Sequence, residues 1–110
     1  MASTPMREPT YYTLAALLDG PLHGYGIIRR AAELSDGQVR ITAGTLYAAL
    51  DRLSEMGWVE ADGEEVVDGR LRRYYRLSGA GREALRAEAD RLHHAAGVVM
   101  RRIHGIGGAS

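Results

Sequence analysis

The chain has 110 residues, zero formal net charge and no cysteine, which bounds it to a single domain and excludes disulfides, Cys-ligated zinc and thiol catalysis. No apolar run approaches the ~20 residues of a membrane span, and the N-terminus lacks the basic-then-apolar pattern of a secretion signal, so a soluble cytoplasmic protein is expected. All fourteen basic residues are arginine and they are unevenly spread: residues 60–68 hold five acids and no base, whereas residues 70–82 hold five arginines and no acid.

Residues 1–9, with Pro5 and Pro9, read as a flexible N-terminal arm without a core pattern. Thr10 to Asp19 reads as a first helix capped by Thr10, with Leu14, Leu17 and Leu18 on one face and Gly20-Pro21 as its stop. His23-Gly24-Tyr25 opens a second helix that runs to about Leu34. Its inner face is expected to hold Tyr25, Ile28, Ala31 and Ala32, with Arg29, Arg30 and Glu33 on the wet side. Ser35-Asp36-Gly37 is a turn, and Val39-Arg40-Ile41 is at most a minor strand. Thr42 then caps a third helix that runs to Met56, where Gly57 ends it. Leu46, Leu50 and Leu53 make one apolar stripe on it, and Gly44, Thr45, Ala48, Asp51, Arg52 and Glu55 occupy the opposite face.

Asp68-Gly69 between two β-prone segments signals a hairpin with a two-residue type I′ turn. That turn pairs Val67 with Arg70, Glu65 with Arg72 and Glu64 with Arg73, each charge pair contributing about 0.2–1 kcal/mol. A slip to Asp62-Gly63 would leave a first strand of barely four residues. Strand parity sets Leu71, Tyr75 and Leu77 on one face, and Arg70, Arg72, Tyr74 and Arg76 on the other. Ser78 caps a last helix from Gly79 to about His104, with residues 105–110 as a flexible tail. Leu85, Ala89, Leu92, Ala96, Val99, Ile103 and Ile106 recur at alternating gaps of four and three, which is a heptad seam. A helix of about 26 residues spans ~40 Å, more than a domain this small can cover. The simplest cover is its twin in a homodimer, with Leu85, Ala89, Leu92, Ala96, Val99 and Ile103 as the interface. A helix folded back on its own domain is the alternative.

Enzyme chemistry is not expected. No carboxylate pair, nucleophile elbow or phosphate-cradling glycine loop is present, and no cofactor is implied. His93 and His94 are adjacent, so on a helix they point about 100° apart and cannot share a metal within one chain; no metal site is expected.

The element order is helix, helix, short strand, helix, two-stranded hairpin: a mostly α, α+β winged helix-turn-helix over residues 10–78, followed by a dimerisation helix at 79–104. His23-Gly24-Tyr25, Gly44-Thr45-Leu46-Tyr47 running into Ala48-Ala49-Leu50-Asp51-Arg52-Leu53, Gly57-Trp58-Val59, and Arg72-Arg73-Tyr74-Tyr75-Arg76-Leu77-Ser78-Gly79-Ala80-Gly81 occur together in one order and spacing. In these segments the chain resembles the PadR-like transcriptional regulators, in their short form with a single long C-terminal helix. It departs from them at Trp58, where a smaller aliphatic residue is usual, and at Ala48, where proline is. The resemblance implies a homodimeric transcription factor, usually a repressor, bound to a palindromic double-stranded DNA operator and released by a small-molecule effector. By that pattern Gly44, Thr45 and Tyr47 enter the major groove and the arginine strand belongs to the wing. Thr42, Thr45 and Tyr47 are then the donors to phosphate or base edges, Ala48 the contact to a thymine methyl, and Arg52, Arg70, Arg72 and Arg73 the backbone contacts. Zero net charge and the acidic run also suit a different function, a protein-interaction or ligand-sensing module with weak DNA affinity.

Overall fold

Tight packing of three short helices against one strand pair positions everything else. The computed structural model describes the backbone of residues 5–109 and the side chains of residues 5–105. Helix α1 (Glu8–Ala16) begins before the expected Thr10: Arg7 is its N-cap residue and proline stands in its first turn. Proline is suited to that place, because its fixed φ is helical and its missing N–H has no partner there anyway. Glu8 and Pro9, assigned to the arm from the sequence, thus belong to the helix. Residues 1–4 lie outside the described residues, while Met6 packs against the core.

Strand β1 (Leu22–His23) follows, then α2 (Gly24–Leu34), α3 (Ala43–Glu55), β2 (Val59–Val67), β3 (Arg70–Leu77) and α4 (Gly79–Ala109). No strand forms at Val39–Ile41. Both apolar residues are buried in a loop instead, and the Ser35 hydroxyl accepts from the Val39 N–H at 2.9 Å. The strand that does join the hairpin is β1, so the sheet has three antiparallel strands in the order β1-β3-β2.

Hairpin register agrees with the sequence expectation: Val67 opposes Arg70, Glu65 opposes Arg72 and Glu64 opposes Arg73. Asp68 and Gly69 both take positive φ, 50° and 76°, as a type I′ turn requires. The second Asp-Gly makes no turn. Asp62 and Gly63 lie at a register shift between Ala61 and Glu64, with Gly63 at φ +90°; such a bulge locally sharpens the strand's twist.

Leu14, Ile27, Leu46, Leu50, Leu53 and Val59 are fully buried and join Tyr75 and Leu85 in one core. Burying each large aliphatic side chain contributes about 1.5–3 kcal/mol. Three expected inward positions are corrected. Leu18 lies past the end of α1 at Ala16 and is 41% exposed. Tyr25 is 71% exposed, and α2 buries Gly24 and Ile27 beside the expected Ala31. Leu71 is 59% exposed, because the outer half of the hairpin extends past the core that covers Tyr75.

Helix α4 is joined to the domain through its first turn. The Ser78 hydroxyl accepts from the Gly81 N–H at 3.0 Å and donates to the Gly57 carbonyl. Gly81 lies so close to strand β2's entry that a Cβ there would overlap the Trp58 carbonyl oxygen. Leu85 belongs to this domain's own core rather than to a free seam. Glu88, 5% exposed, accepts from Arg91 at 2.9 and 2.6 Å and from the Met6 N–H at 3.3 Å, which pins the N-terminal segment to α4. Arg91 holds the Glu88 carboxyl below the usual carboxylate range. Beyond Glu88 the apolar face continues uncovered: Leu92, Val99 and Ile103 are exposed, Ala96 is exposed, and Ala89 is half-buried at the junction. The Ile106 side chain lies outside the described residues. The helix also runs on through Gly105 to Ala109, past the expected end at His104. No described helix is long and apolar enough to cross a membrane.

Candidate nucleic-acid interface

Helix α3 begins as its sequence dictates. The Thr42 hydroxyl accepts from the Thr45 N–H at 3.3 Å and pairs with the Thr45 hydroxyl at 3.0 Å. Gly57, at φ +77°, ends the helix while the Trp58 N–H donates back to the Leu53 carbonyl at 3.0 Å. Leu46, Leu50 and Leu53 face inward, so Thr42, Gly44, Thr45, Tyr47 and Ala48 are all left exposed on the outer face of the first turns.

Tyr47 does not stand free. A Cβ built on Gly24 would lie 2.5 Å from the Tyr47 hydroxyl, so the ring lodges against the first residue of α2, and any larger residue there would displace it. This contact makes Tyr47 part of the floor of a cleft of about 530 Å³ between the two helices and strand β3. His23, Tyr25 and Arg29 line it from α2's side, and Arg70, Leu71, Arg72 and Arg73 from the strand. Four arginines thus converge on one concavity of a chain without net charge.

Ion pairing separates these arginines. Arg73 lies 3.7 Å from Glu64, and Arg76, which does not line the cleft, is engaged by Asp62 at 3.1 Å and Glu60 at 3.4 Å. Among the described residues no carboxylate reaches ion-pair distance of Arg29, Arg70 or Arg72. The register sets Glu65 opposite Arg72, yet they form no contact ion pair. Exposed pairs of this kind contribute about 0–1 kcal/mol, so a polyanion can displace them.

His23 was not among the sequence candidates. Its Nδ1 accepts from the Gly26 N–H at 3.3 Å and so caps α2. Its ring meets the Tyr74 ring edge-on, centroids 5.5 Å apart at 85°. Burial, then the charges of Arg72 and Arg29, hold its pKa below the usual histidine value, against the opposing pull of Glu65. Arg52, by contrast, is not brought to the cleft. It lines a separate concavity with Met6, Leu53, Met56 and Trp58. Among the described residues no group of three or more His, Asp and Glu side chains is placed to hold a metal ion. Nδ1 of His23 is occupied by its cap, so the ring is not a free base; the cleft offers donors and positive charge.

The sequence model of the transcriptional regulator PadR-like family matches residues 13–87. The chain belongs to the PadR-like family of transcriptional regulators. Transcriptional regulator Rv3488 of Mycobacterium tuberculosis (strain ATCC 25618 / H37Rv) is 39% identical over 82 residues, 74% of this chain and 73% of that protein. Among solved structures, the transcriptional regulator Cth-833 from Clostridium thermocellum superposes with a TM-score of 0.70 at 26% identity, covering 84% of this chain and 87% of that one. Bacillus subtilis PadR, solved in complex with operator DNA, shares the fold with a TM-score of 0.64 at 22% identity. The match covers 74% of this chain and 46% of that longer one. The PadR-like match ends within α4, so the family region holds α2, α3, the sheet and the first turns of α4, and the cleft lies wholly inside it.

Proposed function

We propose that this PadR-like regulator is a cytoplasmic homodimeric repressor that binds a palindromic DNA operator and leaves it when a small effector binds. The cleft carries the reading: Tyr47 at the base of α3 faces a strand whose Arg70 and Arg72 have no carboxylate partner among the described residues. Gly44, Thr45 and Ala48 meet base edges in the major groove, while Arg70, Arg72 and Arg73 bind phosphates. Thr42 serves this set by fixing the helix start. With no arginine on the outer face of α3's first turns, specificity is spread over small contacts and DNA shape. The uncovered face of α4 supports the dimer, whose two-fold symmetry demands half-sites about one helical turn apart. The concavity of about 430 Å³ at the end of α3, edged by Trp58, Met56 and Arg52, suits a flat effector stacking on the indole and pressing on the reading helix.

Fluorescence anisotropy with the protein's own upstream DNA tests this. A salt-sensitive complex is expected. Arg72→Ala weakens binding about equally on all sequences and lowers the salt slope by about 0.9, the value of one phosphate contact. Thr45→Ala shifts sequence preference instead. Absence of any salt-sensitive complex would give the function to a protein-interaction module, which the acids of β2 favour by engaging Arg73 and Arg76.

A further inference from the structure

We propose that α2 carries a phosphodiester site of its own, outside the reading helix, in which His23, Tyr25 and Arg29 hold one DNA backbone phosphate that Arg72 closes from the wing. The inference rests on the reading of the cleft as DNA-facing and adds a contact that neither α3 nor the hairpin supplies. All four side chains line the same concavity.

The tautomer of His23 follows from its cap. Because Nδ1 accepts from the Gly26 N–H, the neutral ring carries its proton on Nε2. Among the described residues Nε2 has no protein partner, and none of their buried side-chain nitrogens or oxygens lacks one. The Nε2–H is therefore open to solvent as a donor on a residue that lines the cleft, and the ring is held in place by its cap on one side and Tyr74 on the other. Tyr25, one residue into the helix, is a large aromatic left out of the core. Arg29 follows it at i+4, on the same face. The contrast with Arg30 is informative: Arg30 is engaged by Asp19 at 3.2 Å and Glu33 at 3.5 Å, while Arg29 has no such partner among the described residues. A histidine N–H, a phenol and a guanidinium are all donors, and Arg72 opposite adds another cation. A phosphodiester, one charge shared by two oxygens, matches that set. Its source is DNA backbone because the concavity opens directly onto Tyr47 of α3 and Arg70 of the strand.

The test uses the full chain, a duplex from its upstream region and an unrelated duplex, with His23→Asn, Tyr25→Phe and Arg29→Gln. Asparagine keeps the cap, since it ranks among the best N-cap residues, but offers no donor at the Nε2 position. At about pH 8, above the range in which His23 titrates, each variant is expected to keep wild-type thermal unfolding and to lose about threefold to tenfold in affinity for both duplexes alike, the worth of one hydrogen bond. Arg29→Gln also lowers the salt slope by about 0.9. Nitrogen NMR of the wild type should show the proton on Nε2 and a shift of that nitrogen when DNA is added. If all three variants bind as wild type while Arg72→Ala is weakened, the α2 site is overturned and the cleft reading stands. If the wild type forms no salt-sensitive complex, the cleft reading itself fails. If inorganic phosphate moves the Nε2 resonance and DNA does not, the site takes a free anion and the proposal is overturned.

Discussion

Replacing Gly81 by alanine tests how α4 is joined to the domain. In an exposed helix interior the change gains up to about 1 kcal/mol, because alanine has the higher helix propensity. At Gly81 the new methyl would overlap the Trp58 carbonyl oxygen and stand 2.9 Å from Leu77 Cδ1. The leucine end can swing away. The carbonyl cannot, since it accepts the Ser78 N–H at 3.0 Å where the chain leaves α3. Overpacking costs about 1–3 kcal/mol, and overlap with a fixed carbonyl belongs in the upper part of that range, about 2–3 kcal/mol, so after the propensity gain a net loss of about 1–2 kcal/mol remains. For a domain of this size that lowers Tm by roughly 4–15 °C. Gly79→Ala is the control, because nothing lies within 4 Å of a Cβ there. Thermal and urea unfolding should be compared at one protein concentration, so that any dimer equilibrium is held constant. A Gly81→Ala protein at least as stable as Gly79→Ala refutes the reasoning.

Gly24→Ala should behave differently, because what its methyl meets is the far end of the Tyr47 side chain. The unfolding midpoint is expected to stay within about 1 kcal/mol of wild type, while near-ultraviolet circular dichroism changes and DNA affinity falls; unchanged affinity would remove Tyr47 from the interface. Leu92→Glu, on the uncovered face of α4, should yield monomers by light scattering, and a dimer mass would defeat the seam. Stability should also depend on pH through His23. Its pKa in the folded chain lies below the ordinary 6.5, so the unfolded chain binds the proton more readily and stability falls as pH drops through 6.5. His23→Asn should flatten that slope, and a wild-type protein that gains stability between about pH 7 and about 5.5 contradicts it. The lowered Glu88 carboxyl acts in a separate window: its contribution is complete above the ordinary value of 4.5 and is lost as pH falls below it.

Local chemistry explains what could be read without coordinates. Asp68-Gly69 dictates its turn, and the turn dictates the register down to Glu64 and Arg73. Thr42 and Gly57 bound α3 as a cap and a left-handed stop must. The failures share a cause, which is that the deciding partner is distant in sequence. Tyr25 took the inward place because an aromatic outweighs glycine in any hydrophobic count. The structure turns α2 so that Gly24 meets Tyr47, and the helix then buries Ile27 rather than Ile28 most deeply. Strand β1 has two residues and exists only because Tyr74 and Tyr75 lie beside it. Leu85 fits the heptad as well as Leu92 does, but α4 packs its first turns on its own domain. The cleft was half legible. Arg70, Arg72, Arg73 and Tyr47 could be named, while His23, Tyr25 and Arg29 required the packing of α2 against α3 to be known. The one available signal was the i, i+4 spacing of Tyr25 and Arg29 beside a histidine at the helix start.

The attachment of α4 has a mechanical consequence. The helix has 31 residues, about 46 Å at 1.5 Å per residue, and it is seated rigidly at one end, by Ser78, Gly81 and Glu88. In the proposed dimer, two such rods joined along their outer halves act as levers with free arms of about 23 Å. Tilting one by about 8° carries the seated end through about 3 Å, close to the ~3.4 Å rise of one base pair. If the protein pairs in that way, a disturbance at the junction of the rods too small to unfold anything is enough to put the two reading helices out of step with successive grooves.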